Sequence, residues 1–329
     1  TRRSPGIGHD GADRTHPSAA SAAAKRRDGS DLGQNRCPMT DTAAAIERIG
    51  VVGCGLMGSG IAEVSARAGL DVMVREVDEA AAEAGRARLV KSLDRGLSAG
   101  KMSEQERDDA VARLNFTTDL ADLADRQLVV EAVVEDEAMK VEIFEQLDGV
   151  VAADDAILAS NTSSIPIMKL GTATQRPEQV IGIHFFNPVP VLNLVELVTS
   201  LMTSDETTGR SEAFATEVLD KRVIKSQDRA GFVVNALLIP YLLSAIRMME
   251  SGFASAEDID TGMIEGCSHP MGPLQLTDLI GLDTTLAVAE SLYEEFKEPL
   301  YAPPPVLSRM VDAGLLGRKA GRGFYDYHR

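Results

Sequence analysis

Over the first two thirds of the chain, short apolar runs rich in β-branched residues alternate with stretches of helical periodicity. The runs IERIGVVG (46–53), LDVMVRE (70–76), LVVEAVV (128–134), AILAS (156–160), VIGIHFF (180–186) and LNLVELV (192–198) predict strands. Between the first two, the spacing predicts a helix from about Leu56 to Ala68, closed by Gly69 in the C′ position. Residues 78–100 and 103–114 predict two more helices, the second opening with Ser103 and Glu106 at capping-box spacing. A further helix is expected over 137–147. Strands alternating with helices imply βαβ units, so the expected fold class is α/β, a Rossmann-like doubly wound and mostly parallel sheet. Beyond residue 226 the pattern is helical, broken by Gly and Pro, with no convincing strand. The expected organisation is therefore a sheet domain over 46–226 and an all-α domain over 227–329.

One stretch of the helical part, AGFVVNALLIPYLLSAI (230–246), is apolar enough to suggest a membrane span. It falls short of the roughly 20 residues a span needs, and Asn235 and Pro240 interrupt it, so a buried helix is expected. The first 45 residues have the opposite character. Up to residue 38 they are rich in Gly, Ser, Ala and Pro with few large apolar residues, which predicts a disordered tail and makes Met39 a candidate start. No apolar core of a secretory signal is present there.

A net charge of −17 argues against nucleic acid or an anionic membrane as the main partner, though local basic residues can still hold a small anion. Cys37, Cys54 and Cys267 are too scattered for a disulfide or metal framework, which fits a cytoplasmic protein. His269 in HPMGP, two residues after Cys267, offers a two-ligand pair without partners, so no metal site is expected.

GCGLMG, from Gly53 through Leu56 and Met57 to Gly58, follows the first strand and opens the first helix. Gly53 permits the tight turn, Gly55 lets a pyrophosphate approach the backbone, and Gly58 lets helix pack on strand. An acidic residue, Glu76, stands at the end of the second strand, where a carboxylate accepts both hydroxyls of a ribose and repels a 2′-phosphate. NAD is therefore the expected cofactor, with Arg75 beside Glu76 leaving a 2′-phosphate as the alternative.

HFFNPVPVLNLVELV (184–198) poses a different problem. It is apolar apart from two asparagines, His184 and Glu196, and burying either ionisable group alone is costly. Either the two meet, or one faces a cleft. With a nucleotide loop nearby, hydride transfer becomes the expected chemistry: His184 as base for a hydroxyl proton, Glu196 on its other ring nitrogen, and Ser163 and Asn235 bonding the substrate oxygen.

Taken in order, GVVGCGLMGSGIA, SNTSS (160–164), GIHFFNPVPVLNLVELV, AGFVVNALLIPYLLSAI, HPMGPLQLTDLIGLDT and LLGRKAGRGFYDY resemble the 3-hydroxyacyl-CoA dehydrogenase family, in particular its single-function bacterial 3-hydroxybutyryl-CoA members. The resemblance implies that His184 and Glu196 are the catalytic pair and that Ser163 and Asn235 contact substrate. It places Asn161, Asn187, Glu135 and Lys140 near the cofactor, with a solvated helix face as the alternative for Lys140. It also implies an acyl-CoA substrate and a homodimer formed through the helical domain. Lys91, Arg95 and Lys101 are candidates for the coenzyme A phosphates, against a plain solvated face. Rival functions are a dehydrogenase of a free hydroxy acid or sugar acid, and a catalytically silent NAD-binding protein.

Overall fold

The computed structural model describes residues 46–328, so the reading of 1–45 as a disordered tail lies outside the described residues. The elements run β1 (Arg48–Val52), α1 (Leu56–Arg67), β2 (Asp71–Arg75), α2 (Glu79–Ser98), α3 (Glu104–Ala112), β3 (Leu114–Thr117), β4 (Leu128–Glu131), α4 (Glu137–Val150), β5 (Ile157–Ser160) and α5 (Ile167–Thr172). They continue with β6 (Val180–Phe185), β7 (Leu194–Thr199), α6 (Asp205–Ala213), β8 (Arg222–Gln227), α7 (Val234–Glu250), α8 (Ala256–Cys267), α9 (Pro273–Ile280), α10 (Leu282–Phe296) and α11 (Pro305–Asp312). All eight strands form one sheet in the order β3-β2-β1-β4-β5-β6-β7-β8. β1 to β6 are parallel; β7 pairs antiparallel with β6 and carries β8 parallel to itself.

Two local signals act as expected. Gly69 has φ +97° and follows the α1 C-cap, with its N–H on the Ala66 carbonyl and that of Leu70 on Ser65. Ser103 and Glu106 form a reciprocal capping box at the start of α3. β3 and β8 are corrections to the expected strand set. Both are edge strands with partly exposed residues, LNFT and RVIKSQ, so neither carries the alternation of a half-buried strand.

The sheet separates two apolar layers. Ile49, Val51, Val72, Val74 and Cys54 pack with Ile61, Leu89 and Leu93 of α1 and α2 on one face. Val129, Leu158 and Val198 pack with Phe144, Leu147 and Leu170 of α4 and α5 on the other. A third cluster, with Leu243, Ile246, Leu274, Leu282 and Leu292, is the core of the helical part. Residues 230–246 form no span: α7 is buried along Ile239, Leu242, Leu243 and Ile246, and no described helix is long and apolar enough to cross a membrane. The C-terminal segment is tied to the helices by buried Asp278, which accepts the N–H groups of Phe324 and Tyr325 and the Tyr327 hydroxyl.

Candidate active site

The carboxyl ends of β1, β2, β4, β5 and β6 bring the candidate residues to one edge of the sheet, where ligands bind in open α/β folds. At β1 the chain turns through Gly53 (φ +89°) into α1. A Cβ on Gly58 would lie 1.9 Å from the Gly53 carbonyl oxygen, while one on Gly55 would meet nothing within 4 Å. So Gly58 is required for helix to meet strand, and Gly55 opens on space. Gly55 is also the N-cap of α1 and offers no side-chain cap, and the first turn holds no acidic residue. The first N–H groups of the helix, including Leu56 and Met57, are thus left for an external anion. These features fit a dinucleotide.

Glu76 leans over this loop, accepting the Cys54 N–H with one carboxylate oxygen and the Val77 N–H, at 3.2 Å, with the other. Arg75 lies on the opposite face. Val72 and Val74 pack in the same layer as Cys54, whereas Met73 packs in the other, and side chains alternate along a strand. Leu56, Val77, Val134 and Met139 are exposed apolar residues just past β1, β2 and β4, a surface that apolar patterning alone does not mark as a ligand wall.

Beneath the loop that follows β4 is a buried charge network. Glu131, fully buried, accepts Lys140 Nζ at 2.6 Å, the Val133 N–H at 2.7 Å and the Ser160 hydroxyl at 2.6 Å. Lys140 is 1% exposed and lies 3.3 Å from Glu135 as well. It is therefore not on a solvated helix face. Its ammonium is held between two carboxylates behind the cleft. Glu135 accepts the Thr162 hydroxyl at 2.6 Å, the Ser163 N–H at 2.8 Å and the hydroxyls of Ser163 and Ser164 at 3.2 Å. Burial pushes the Glu135 carboxyl up, but Lys140 and the donors from Thr162 and Ser163 outweigh it and hold the carboxyl below its ordinary value. Sequence reading missed Glu131, although a glutamate inside LVVEAVV is the same anomaly that singles out Glu196.

Asn161 links this network to the next strand, its Oδ1 accepting the Phe185 N–H at 2.9 Å. His184 and Glu196 lie opposite each other in the β6–β7 ladder, and His184 Nδ1 is 2.8 Å from Glu196 Oε2. Both are buried. Glu196 Oε1 accepts the N–H groups of Val233 and Val234, at 3.1 and 3.0 Å, where α7 begins. No side-chain pattern announces that contact, since the donors are backbone. A carboxylate accepts, so in this contact the donor is Nδ1–H of His184, and Nε2 is turned away from Glu196. The rings of Phe186 and Phe232 flank the imidazole, with centroids at 4.7 and 5.6 Å.

Asn235 stands one residue past the N–H groups that hold Glu196, half-buried on the first turn of α7. Asn187 is exposed in the β6–β7 loop. That loop is anchored by buried Lys221, whose Nζ donates to the carbonyls of Val189 and Leu192, both at 2.7 Å. Lys91, Arg95 and Lys101 are exposed on α2 and the turn after it. Among the described residues no cluster of His, Cys, Asp and Glu could hold a metal ion.

The 3-hydroxyacyl-CoA dehydrogenase NAD-binding domain matches residues 48–229, and the C-terminal domain of the same enzymes matches 231–327. The chain belongs to the 3-hydroxyacyl-CoA dehydrogenase family. It is 65% identical over 283 residues to a 3-hydroxybutyryl-CoA dehydrogenase of Mycobacterium tuberculosis, covering 86% of this chain and 99% of that one. Among solved structures, M. tuberculosis FadB2 superposes with a TM-score of 0.86 at 64% identity, over 86% of this chain and 100% of the other. The (S)-3-hydroxybutyryl-CoA dehydrogenase PaaH1 of Ralstonia eutropha follows with a TM-score of 0.82 at 46% identity, over 87% and 100%. As a member of this family the chain is an NAD-dependent oxidoreductase.

Proposed function

We propose that this 3-hydroxyacyl-CoA dehydrogenase interconverts (S)-3-hydroxybutyryl-CoA and acetoacetyl-CoA, with His184 as the acid–base group. The observation that carries the mechanism is the buried 2.8 Å contact of His184 Nδ1 with Glu196, which leaves Nε2 as the basic atom. In oxidation, Nε2 takes the proton of the 3-hydroxyl. The carboxylate of Glu196 stabilises the imidazolium, helped by the two N–H groups of α7 that fix its other oxygen. Ser163 and Asn235 hydrogen-bond the reacting oxygen. Bound NAD supplies the acceptor for the hydride that leaves C3. In reduction the imidazolium returns the proton to the same oxygen.

Glu76 and the glycine loop hold the adenosine ribose and pyrophosphate. Glu135 and Asn161 shape the wall beside the nicotinamide, with Asn187 at its rim. Lys140 serves the cofactor through Glu135. Lys91, Arg95 and Lys101 receive the coenzyme A phosphates. Leu237 and Met248 are exposed on α7, with Tyr241 and Ser244 between them at helical spacing, a stripe suited to a second copy of the chain.

The test is NADH consumption with acetoacetyl-CoA and with free acetoacetate, side by side. Turnover of the thioester alone is expected. Activity confined to the free acid would transfer the reading to hydroxy acids, and nucleotide binding without turnover of either would mark a silent binding protein.

A further inference from the structure

Residues 228–233 carry the chain from β8 into α7, and their first half is tied down on two sides. Asp228 accepts the N–H groups of Ile167 and Met168 at the start of α5, at 2.9 and 2.7 Å. Arg229 lies 5.0 Å from the ring centroid of Phe296, and the Ala230 N–H donates to Glu295, both partners at the end of α10. After these anchors two consecutive residues are left-handed, Gly231 at φ +74° and Phe232 at φ +48°.

Gly231 suits that backbone, and a Cβ there would lie 2.8 Å from Leu292. Phe232 does not suit it, because a bulky L-residue is disfavoured at positive φ. Its surroundings hold it there. The Phe232 N–H donates to the Arg229 carbonyl at 3.0 Å, and the side chain is buried in the layer of Ile165, Ile167 and Val198. Just beyond it, the N–H groups of Val233 and Val234 donate to Glu196, while the Phe232 ring stands edge-on to the His184 imidazole.

We propose that Phe232 is a positioning residue for the acid–base pair: its left-handed backbone aims two amides at Glu196, and its ring fixes the plane of His184. The inference rests on the reading of His184 as the acid–base group. The β6–β7 register sets where the two side chains start but leaves the imidazole free to turn about its own bonds. The contact of Nδ1 with Glu196 restrains one edge of the ring, and a flat neighbour packed against it restrains the tilt. Phe232 thus acts on both members of the pair, on one through its backbone and on the other through its side chain. A disfavoured backbone kept in place by such contacts is the strain expected where geometry serves function.

The experiment is steady-state reduction of acetoacetyl-CoA by the full chain, with NADH affinity measured separately, for wild type and Phe232→Leu, each with and without Glu196→Gln. Leucine keeps an apolar side chain and removes the flat ring. Phe232→Leu should lower kcat by about ten-fold, because a small misplacement of an acid–base group is costly. KM for acetoacetyl-CoA and Kd for NADH should stay within about two-fold of wild type. In the Glu196→Gln background the same change should cost less than about two-fold, since the imidazole has already lost its charged partner. Phe232→Gly is the second variant and decides the matter if leucine is not tolerated. Glycine adopts the left-handed backbone freely, so the ring is removed without strain, and kcat should fall at least as far as in Phe232→Leu. The proposal is overturned if kcat stays within about two-fold of wild type, or if KM rises while kcat holds. It is also overturned if the loss is the same with and without Glu196→Gln, which would make the ring an independent packing group. A Glu196→Gln enzyme with near-normal kcat would sink the acid–base reading itself, a separate result.

Discussion

His184 and Glu196 face each other across the antiparallel β6–β7 ladder, and the carboxylate that meets the imidazole is held on its far side by the first N–H groups of α7. Directly opposed residues on such a ladder project from the same face, so the register alone brings the two side chains together. The amides of α7 then offset the cost of burying the carboxylate, because a helix N-terminus favours negative charge. Glu196→Gln keeps the size and one accepting oxygen but removes the charge. It should lower kcat by about 10²- to 10⁴-fold with a modest change in KM, and His184→Ala should do at least as much. Both variants should bind NADH normally. Near-normal kcat for Glu196→Gln across the pH range would show that the pair is structural.

Replacing Glu76 with Ala removes the ribose acceptor and the group that receives the Cys54 N–H. The ratio of kcat/KM for NADH to that for NADPH should fall, chiefly through loss of NADH affinity. A wild-type enzyme faster with NADPH would contradict the role of the carboxylate.

Lys140 is sealed between Glu131 and Glu135, and removing one partner of a buried pair leaves an uncompensated charge. Lys140→Met should therefore cost about 3–5 kcal/mol of stability, while Lys140→Met combined with Glu131→Gln should recover part of it. Urea denaturation of the single and double variants decides this. A single variant within about 0.5 kcal/mol of wild type would mean that the pair contributes nothing.

The depressed Glu135 carboxyl has a defined pH signature. Its ordinary value is 4.5, and the folded value lies below that. Its ionised form therefore contributes stability above pH 4.5, which is lost as the pH falls through the folded value. The gap in melting temperature between wild type and Glu135→Gln should be present at neutral pH and close in acid. A gap that stays constant as the pH drops would contradict the linkage.

Cys54 tests the closure of the glycine loop. Burial, with Glu76 adding to it, pushes its thiol up to about 12, so little thiolate exists at neutral pH. Peptide mapping after brief alkylation should find Cys267, which is exposed, labelled well before Cys54. Equal labelling would mean that the loop opens readily.

Much of the architecture is legible along the chain. The run ending at Gly53, the helix from Leu56 and the acidic Glu76 are local patterns, because strand and helix periods and turn residues act over a few positions. The ionisable groups inside 184–198 are legible too, as an energetic conflict that demands a partner. What could not be read there depends on elements far apart in sequence. β3 and β8 exist because β2 and β7 offer them an edge, their own residues being too polar to declare a strand. Lys140 looks like any surface lysine until α4 is laid on the sheet beside Glu131. The hydrogen bond of Arg88 to the Cys54 carbonyl and the seat of Glu196 on the amides of Val233 and Val234 use backbone groups, which carry no residue-specific signature. Local periodicity sets which face each element buries; only packing sets which backbone amide or carbonyl ends beside which charge.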